Sequence, residues 1–242
     1  MSATPVANPI RDAPEFRRLL FARLVSHVGD GIAVTTLVLL VEGTRGSGAA
    51  VGTLLLVWFV PKLLGPLAGA IVDRVEQRTV MVACDLGQAA VFGTIAWLAP
   101  SFPVLLVLVA AAGCFETLFA PAGRSAVPAL VRPEQLLRAN AWMGTTLNLQ
   151  VALGPVIGGV LVATLGVRGA LAANALSFVI SAIALVGLPP LRPQGEPERR
   201  GFLAVGVDGI RYVWRTPLLR SVAIALFVGV AFAGLDNVAL VF

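Results

Sequence analysis

Charge is scarce in this chain. Asp, Glu, Lys and Arg make up 13% of its 242 residues, against roughly 25% in a soluble domain. Hydrophobic residues are 57%, and 25 glycines raise the apolar share to about two thirds. So little polar surface cannot cover a water-soluble core of this size, which makes a lipid bilayer the expected solvent. Histidine occurs once, at His27, and lysine once, at Lys62. With one histidine, no His/Asp/Ser or metal-ligand constellation can be assembled at one depth, so we expect no enzyme, no cofactor and no metal. Cys84 and Cys114 both lie in apolar runs without paired spacing. They are expected as small core residues, in neither a disulfide nor a metal site. No Gly-rich loop ending in Lys-Ser/Thr is present, which argues against ATP-driven chemistry. Nor is a cleavable leader expected, because the first eighteen residues are polar and the next run is too long for one.

What the chain does have is long apolar runs. Windows of about 20 residues give seven candidate spans: 19–41, 50–72, 80–99, 103–123, 141–165, 170–188 and 218–242. Helices are required, since a spanning backbone must satisfy its own hydrogen bonds and the runs lack barrel alternation. The expected class is an all-α polytopic membrane protein. Its expected parts are a polar N-terminus (1–18), a six-helix bundle (19–188), a linker (189–217) and a seventh helix (218–242).

The net charge of +5 does not point to nucleic acid, because the basic residues form no aromatic-flanked patch. They sit between the runs. Arg11, Arg17, Arg18, Arg23, Arg74, Arg78, Arg124, Arg132, Arg138, Arg192, Arg199, Arg200, Arg211, Arg215 and Arg220 fall on one side, fifteen of the eighteen basic residues. Only Arg45 and Arg168 lie in the opposite loops. The positive-inside rule then makes the N-terminus cytoplasmic in a multi-pass protein of the cell (plasma) membrane. The linker opens with RPQGEPERR, a flexible solvated composition. In the following GVDGIRYVWR, Val207, Ile210 and Trp214 share one helical face and Asp208, Arg211 and Arg215 the other. An amphipathic helix on the inner leaflet is expected there, the alternative being a short helix packed on the bundle.

Residues 65–78, GPLAGAIVDRVEQR, form a tight charged turn between two apolar runs. GPLAG (65–69) in the second span recurs as GPVIG (154–158) in the fifth. Those spans cross in opposite senses, as two inverted three-helix repeats would place them. Gly69, Asp73, Arg74, Glu76 and Arg78 resemble the signature between helices two and three of the major facilitator superfamily. Gly154, Pro155, Gly158 and Gly159 resemble its helix-five antiporter signature, although Gln150 stands where a further glycine is usual. Phe119, Pro121 and Arg124, followed by Pro128, Leu137, Arg138 and Asn140, are similar to the branch holding the enterobactin exporter and macrolide efflux proteins. The resemblance covers the chain from about Phe16. It implies the N-terminal six-helix half of a major facilitator fold plus the first helix of the second half. It also implies a partner in the missing C-terminal half.

Ionisable side chains inside hydrocarbon cost a few kcal/mol each, so each needs a partner or a task. Arg23, His27 and Asp30 follow i, i+4, i+7 spacing and form one polar stripe. Lys62 and Glu116 lie near the middle of the second and fourth spans, and Asp85 about two turns into the third. One lysine neutralises one carboxylate, leaving the other free. Two readings stay open. Asp30 or Glu116 is a proton-coupling carboxylate in a substrate cavity, or Lys62 bridges Asp30 as a structural pair. His27 reads as a packing residue more than a proton shuttle. Asp73, Arg74 and Arg78 can pair with one another, with Asp85 or with helix ends in the other half. The resemblance makes them a cytoplasmic gating latch with Gly69. Asn148 and Asn174 are expected as interhelical hydrogen-bonders. The expected function is secondary active, proton-coupled export of small organic molecules such as drugs or siderophores. The alternative is a non-transporting membrane scaffold or sensor derived from a transporter.

Overall fold

The computed structural model describes residues 8–192, 211, 214–217 and 220–221. A short helix, α1 (Pro9–Asp12), precedes the 32-residue α2 (Pro14–Arg45). The second span is composite. It joins α3 (Gly48–Phe59), a 3-10 segment (Val60–Leu64) that includes Pro61, and α4 (Gly65–Val72). α5 (Gln77–Leu98) and α6 (Phe102–Leu130) supply the third and fourth. α7 (Leu136–Val186) has 51 residues, and at 1.5 Å per residue it would reach about 75 Å, far beyond a hydrocarbon core of about 30 Å. Gly166 resolves the excess. Its φ of 71° and ψ of 174° break the helix into the fifth and sixth spans. Among the described residues, then, six apolar helical crossings follow one another. All but residues 220 and 221 of the seventh expected span, and most of the expected amphipathic helix, lie outside the described residues.

Close backbone approach sets the helix order. A Cβ on Gly31 of α2 would stand 2.7 Å from Gly154 Cα, and one on Gly154 would stand 2.5 Å from Gly31 Cα. Gly158, one turn on, meets Ile32 and Thr35. The first and fifth spans therefore touch backbone to backbone, which only small residues permit. A second crossing repeats the relation with the roles inverted: a Cβ on Gly113 of the fourth span would lie 2.7 Å from Trp58 O and 3.1 Å from Pro61 Cγ of the second. Spans one and five, and spans four and two, thus meet alike, as inverted three-helix repeats require. The sequence echo misplaces the second contact. Gly65 and Gly69 have nothing within 4 Å of a built Cβ. The true counterpart of Gly154–Gly158 is the stretch from Trp58 to Pro61, where the 3-10 segment begins.

The apolar core falls into two clusters. One gathers Phe16, Leu19, Val72, Met81, Phe119 and Leu185 near the arginine-rich loops. The other gathers Leu37, Leu54, Trp58, Phe92, Leu105 and Phe178 towards the opposite end. Cys84 is buried as expected, but Cys114 is exposed on the outside of α6. Its neighbour Gly113 faces the second span, so the next residue necessarily points elsewhere.

The arginine-rich end is tied together through carbonyls at the end of the sixth span. Arg18 Nη1 donates to Gly187 O, and Arg78 Nη1 donates to Leu188 O at 2.9 Å. Gln77 N–H donates to Leu191 O at 3.0 Å. Cations suit a helix C-terminus, where unpaired carbonyls carry partial negative charge.

Two outcomes follow. Gly154→Ala drives a methyl into the α2 backbone and lowers stability by about 1–3 kcal/mol, whereas Gly159→Ala, with open space at its Cβ, leaves it unchanged. The thermal unfolding midpoint of the detergent-solubilised protein reads the difference. Arg78→Gln uncaps the sixth span, so amides of residues 185–188 exchange with deuterium roughly tenfold faster.

Candidate functional site

Between the two apolar clusters lies a polar layer. α2 passes from Ala22 in one cluster to Ala33 in the other, and the interval holds Arg23, Ser26, His27 and Asp30. α5 contributes Asp85 and Gln88, α6 contributes Glu116 and Thr117, and α7 contributes Thr146, Asn174 and Ser181. Aromatic rings bound the layer on both sides. Phe119 lies under the Arg23 guanidinium at 4.9 Å. On the other side Trp58 packs tilted on Phe92 and Phe92 stacks on Phe178, with centroids 6.0 and 5.8 Å apart.

Lys62 pairs with Glu116, not with Asp30. Lys62 Nζ lies 2.8 Å from Glu116 Oε1, and Trp58 Nε1 donates to Glu116 Oε2 at 3.0 Å. The reason is the second crossing. Gly113 brings the fourth span against Trp58 and Pro61, and Glu116 follows one turn later opposite Lys62. Lys62 also sits 4.6 Å from the Phe59 ring centroid. The Lys62 and Glu116 side chains are 38% and 26% exposed, so the pair faces an open side of the bundle.

Asp30 is buried, and its Oδ1 has no hydrogen-bond partner among the described residues. Its charged neighbours are Glu116, Lys62, Arg23 and Asp85. His27 is buried too, with Nδ1 3.4 Å from Thr146 Oγ1 across the first and fifth spans. Thr146 itself donates to Met143 O at 2.7 Å. His27 is thus seated in a helix interface, next to the Gly31–Gly154 crossing.

The expected loop group divides. Asp73 and Arg74 are exposed in the turn. Arg78 is turned inward on Leu188 O, and its Nε lies 3.2 Å from Glu76 Oε1. The Thr79 hydroxyl donates to Glu76. That hydrogen bond first, with Arg78 beside it, holds the Glu76 carboxyl below its ordinary range. Asp85 does not join Arg78. It is fully buried in the polar layer, neither carboxylate oxygen has a hydrogen-bond partner among the described residues, and it faces Ser181 and Arg23. Its depth, two turns into an apolar run, was the available signal that it belongs to the interior. In the fifth span, Gly154 and Gly158 are buried against α2, while Pro155 is exposed. Asn148 is exposed and makes no interhelical bond among the described residues. Asn174 is buried, with Oδ1 accepting from Ser177 Oγ on its own helix at 3.4 Å.

Among the described residues the layer therefore holds five ionisable groups besides His27: Arg23 and Lys62 against Asp30, Asp85 and Glu116. Lys62 balances Glu116. Arg23 can balance one of the remaining two carboxylates, and its Nε is itself buried without a hydrogen-bond partner. One negative charge is left over in a low-dielectric interior, where an unpaired charge is costly.

The Major Facilitator Superfamily model matches residues 19–242. The multidrug efflux pump Tap of Mycolicibacterium fortuitum is 34% identical over 224 residues, covering 85% of this chain and 54% of that protein. Tap of Mycobacterium tuberculosis (strain H37Rv) is 32% identical, covering 84% of this chain and 52% of that protein. The enterobactin exporter EntS of Escherichia coli O1:K1 / APEC is 27% identical, covering 89% and 53%. The chain spans about half the length of these curated relatives. With six apolar crossings, paired inverted contacts and a match over nearly its whole length, the chain belongs to the major facilitator superfamily of membrane transporters.

Proposed function

We propose that this chain forms the N-terminal half of a secondary active, proton-coupled exporter of small organic molecules that works by alternating access. The observation that carries this reading is the charge balance of the polar layer, with three carboxylates against two cations. A proton on one carboxylate, or a cationic substrate group beside it, removes the surplus. Asp30 is the better site for that proton. It has Arg23 on its own helix and the Lys62–Glu116 pair among its neighbours, so a proton gained or lost there alters the field at the pair. The pair's exposure makes Lys62 and Glu116 the groups that meet substrate, with His27 and Thr146 behind them.

The similarity to a multidrug efflux pump and to an enterobactin exporter supports export over import and amphiphilic organic compounds, such as drugs or siderophores, as cargo. Transport would require a second half across the open face of the bundle. Asp73 and Arg74, on the exposed turn, with Gly69 one helical turn back on α4, would then contact that half as a cytoplasmic latch. Arg78 would hold the turn to the sixth span. The arginine asymmetry supports a cytoplasmic N-terminus in the plasma membrane.

The test uses a twelve-helix protein in which this half is joined to a complementary C-terminal half. Asp30→Asn lowers uncoupler-sensitive export of dyes or macrolides by tenfold or more and leaves substrate binding intact. Undiminished proton-driven efflux would remove Asp30 from the mechanism. Lys62→Gln alone lowers thermal stability more than Lys62→Gln combined with Glu116→Gln, because the single change strands a carboxylate in the layer.

A further inference from the structure

A cavity of about 400 Å³ opens at the end of the bundle away from the arginine-rich loops. It lies between the end of α2, the loop joining α5 to α6, and the start of the sixth span. Arg45 and Arg168 both line it. These are the two arginines that break the charge asymmetry of the loops, and they are 123 positions apart in sequence. Arg45 is the last residue of α2. Arg168 follows two residues after Gly166, whose left-handed φ turns the chain between the fifth and sixth spans.

The chemistry of the cavity is two-sided. Both arginines are exposed, and among the described residues no acidic side chain lines the cavity. Arg45 stacks over the Phe102 ring with its guanidinium carbon 4.9 Å from the centroid. A guanidinium held over a ring face keeps its edge N–H groups available as donors. Among the described residues, no hydrogen bond or ion pair engages either guanidinium. The wall below them is apolar, formed by Leu40, Leu105 and Leu171. A forked, doubly positive rim above an apolar wall at the end of a membrane helix matches a phosphate headgroup above an acyl chain.

We propose that this cavity binds an anionic phospholipid of the leaflet opposite the arginine-rich loops. Arg45 and Arg168 hold the phosphate, and Leu40, Leu105 and Leu171 contact the first methylenes. A soluble phosphate compound shares the headgroup chemistry but makes no use of the apolar wall, which favours the lipid. The site is separate from the polar layer and does not depend on the transport reading.

Native mass spectrometry of the delipidated full chain, with phosphatidylglycerol or phosphatidylcholine of identical acyl chains, provides the test. The protein retains one phosphatidylglycerol molecule more strongly than phosphatidylcholine. Combined Arg45→Gln and Arg168→Gln weakens that retention roughly tenfold, while Arg132→Gln at the opposite end does not. Both cavity arginines are exposed, so these substitutions leave the core intact, and the wild-type comparison of the two lipids needs no variant. Equal retention of both lipids by the wild type, or an unaffected double variant, overturns the proposal. Displacement by excess glycerol 3-phosphate also overturns it, reassigning the cavity to a soluble anion.

Discussion

Two places where helix backbones touch determine most of this structure. Hydrocarbon gives apolar side chains no reason to prefer one another over lipid, so helices in a bilayer associate through close packing and polar contact. Gly31 against Gly154 locks the first span to the fifth, and Gly113 against Trp58 and Pro61 locks the fourth to the second. Each crossing then dictates what lies one turn away. Beside the first sit His27, Asp30 and Thr146. Beside the second sit Lys62 and Glu116. The polar layer is thus a consequence of where small residues let backbones meet, and a side chain added at either crossing would displace charged groups as well as helices.

The same crossings explain why Lys62 chooses Glu116. Charge alone would have allowed Lys62 to serve either midplane carboxylate, and the pairing with Asp30 was a reasonable expectation from depth. Depth is legible in a sequence, but azimuth around a helix bundle is not. Trp58 supplies the missing information, because its ring packs in series with Phe92 and Phe178 and its buried indole N–H has to find an acceptor. Glu116 offers one oxygen to Trp58 and the other to Lys62, which leaves Arg23 as the remaining cation of the layer for Asp30 and Asp85.

Much of the fold was readable because hydrocarbon is an unforgiving solvent. Run length separated the six described spans, and the φ of Gly166 merely located a break that the length of 136–186 already demanded. The Arg23–His27–Asp30 stripe was readable from helical spacing and falls in one layer. What failed was reading contact from similarity of letters. GPLAG and GPVIG look alike, yet Gly65 and Gly69 face open space while Pro61 makes the real crossing. A 3-10 segment shifts the register of the second span, and no local pattern marks that shift beyond Pro61 itself. Asp85 was misread for a related reason. Its distance from Arg78 in sequence suggested a loop partner, but seven residues of helix carry it about 10 Å along the axis and into the interior.

Arg78 illustrates how loop and layer are joined. A guanidinium committed to Leu188 O and Glu76 holds the start of the third span to the end of the sixth, while Arg18 holds the first span to the same place. Spans one, three and six are therefore fastened at the arginine-rich end, and these are the spans that carry Arg23, Asp30, Asp85 and Ser181. The unbalanced charge is caged by the three helices that are tied together. Lys62 and Glu116, on spans two and four, lie outside that ties-and-cage arrangement and face open space. The bundle thus separates a buried group of charges from an accessible ion pair. Trp58, which donates to Glu116, also packs on Phe92 of the third span, and Phe92 on Phe178 of the sixth, so the two groups are joined by side-chain packing as well as by charge.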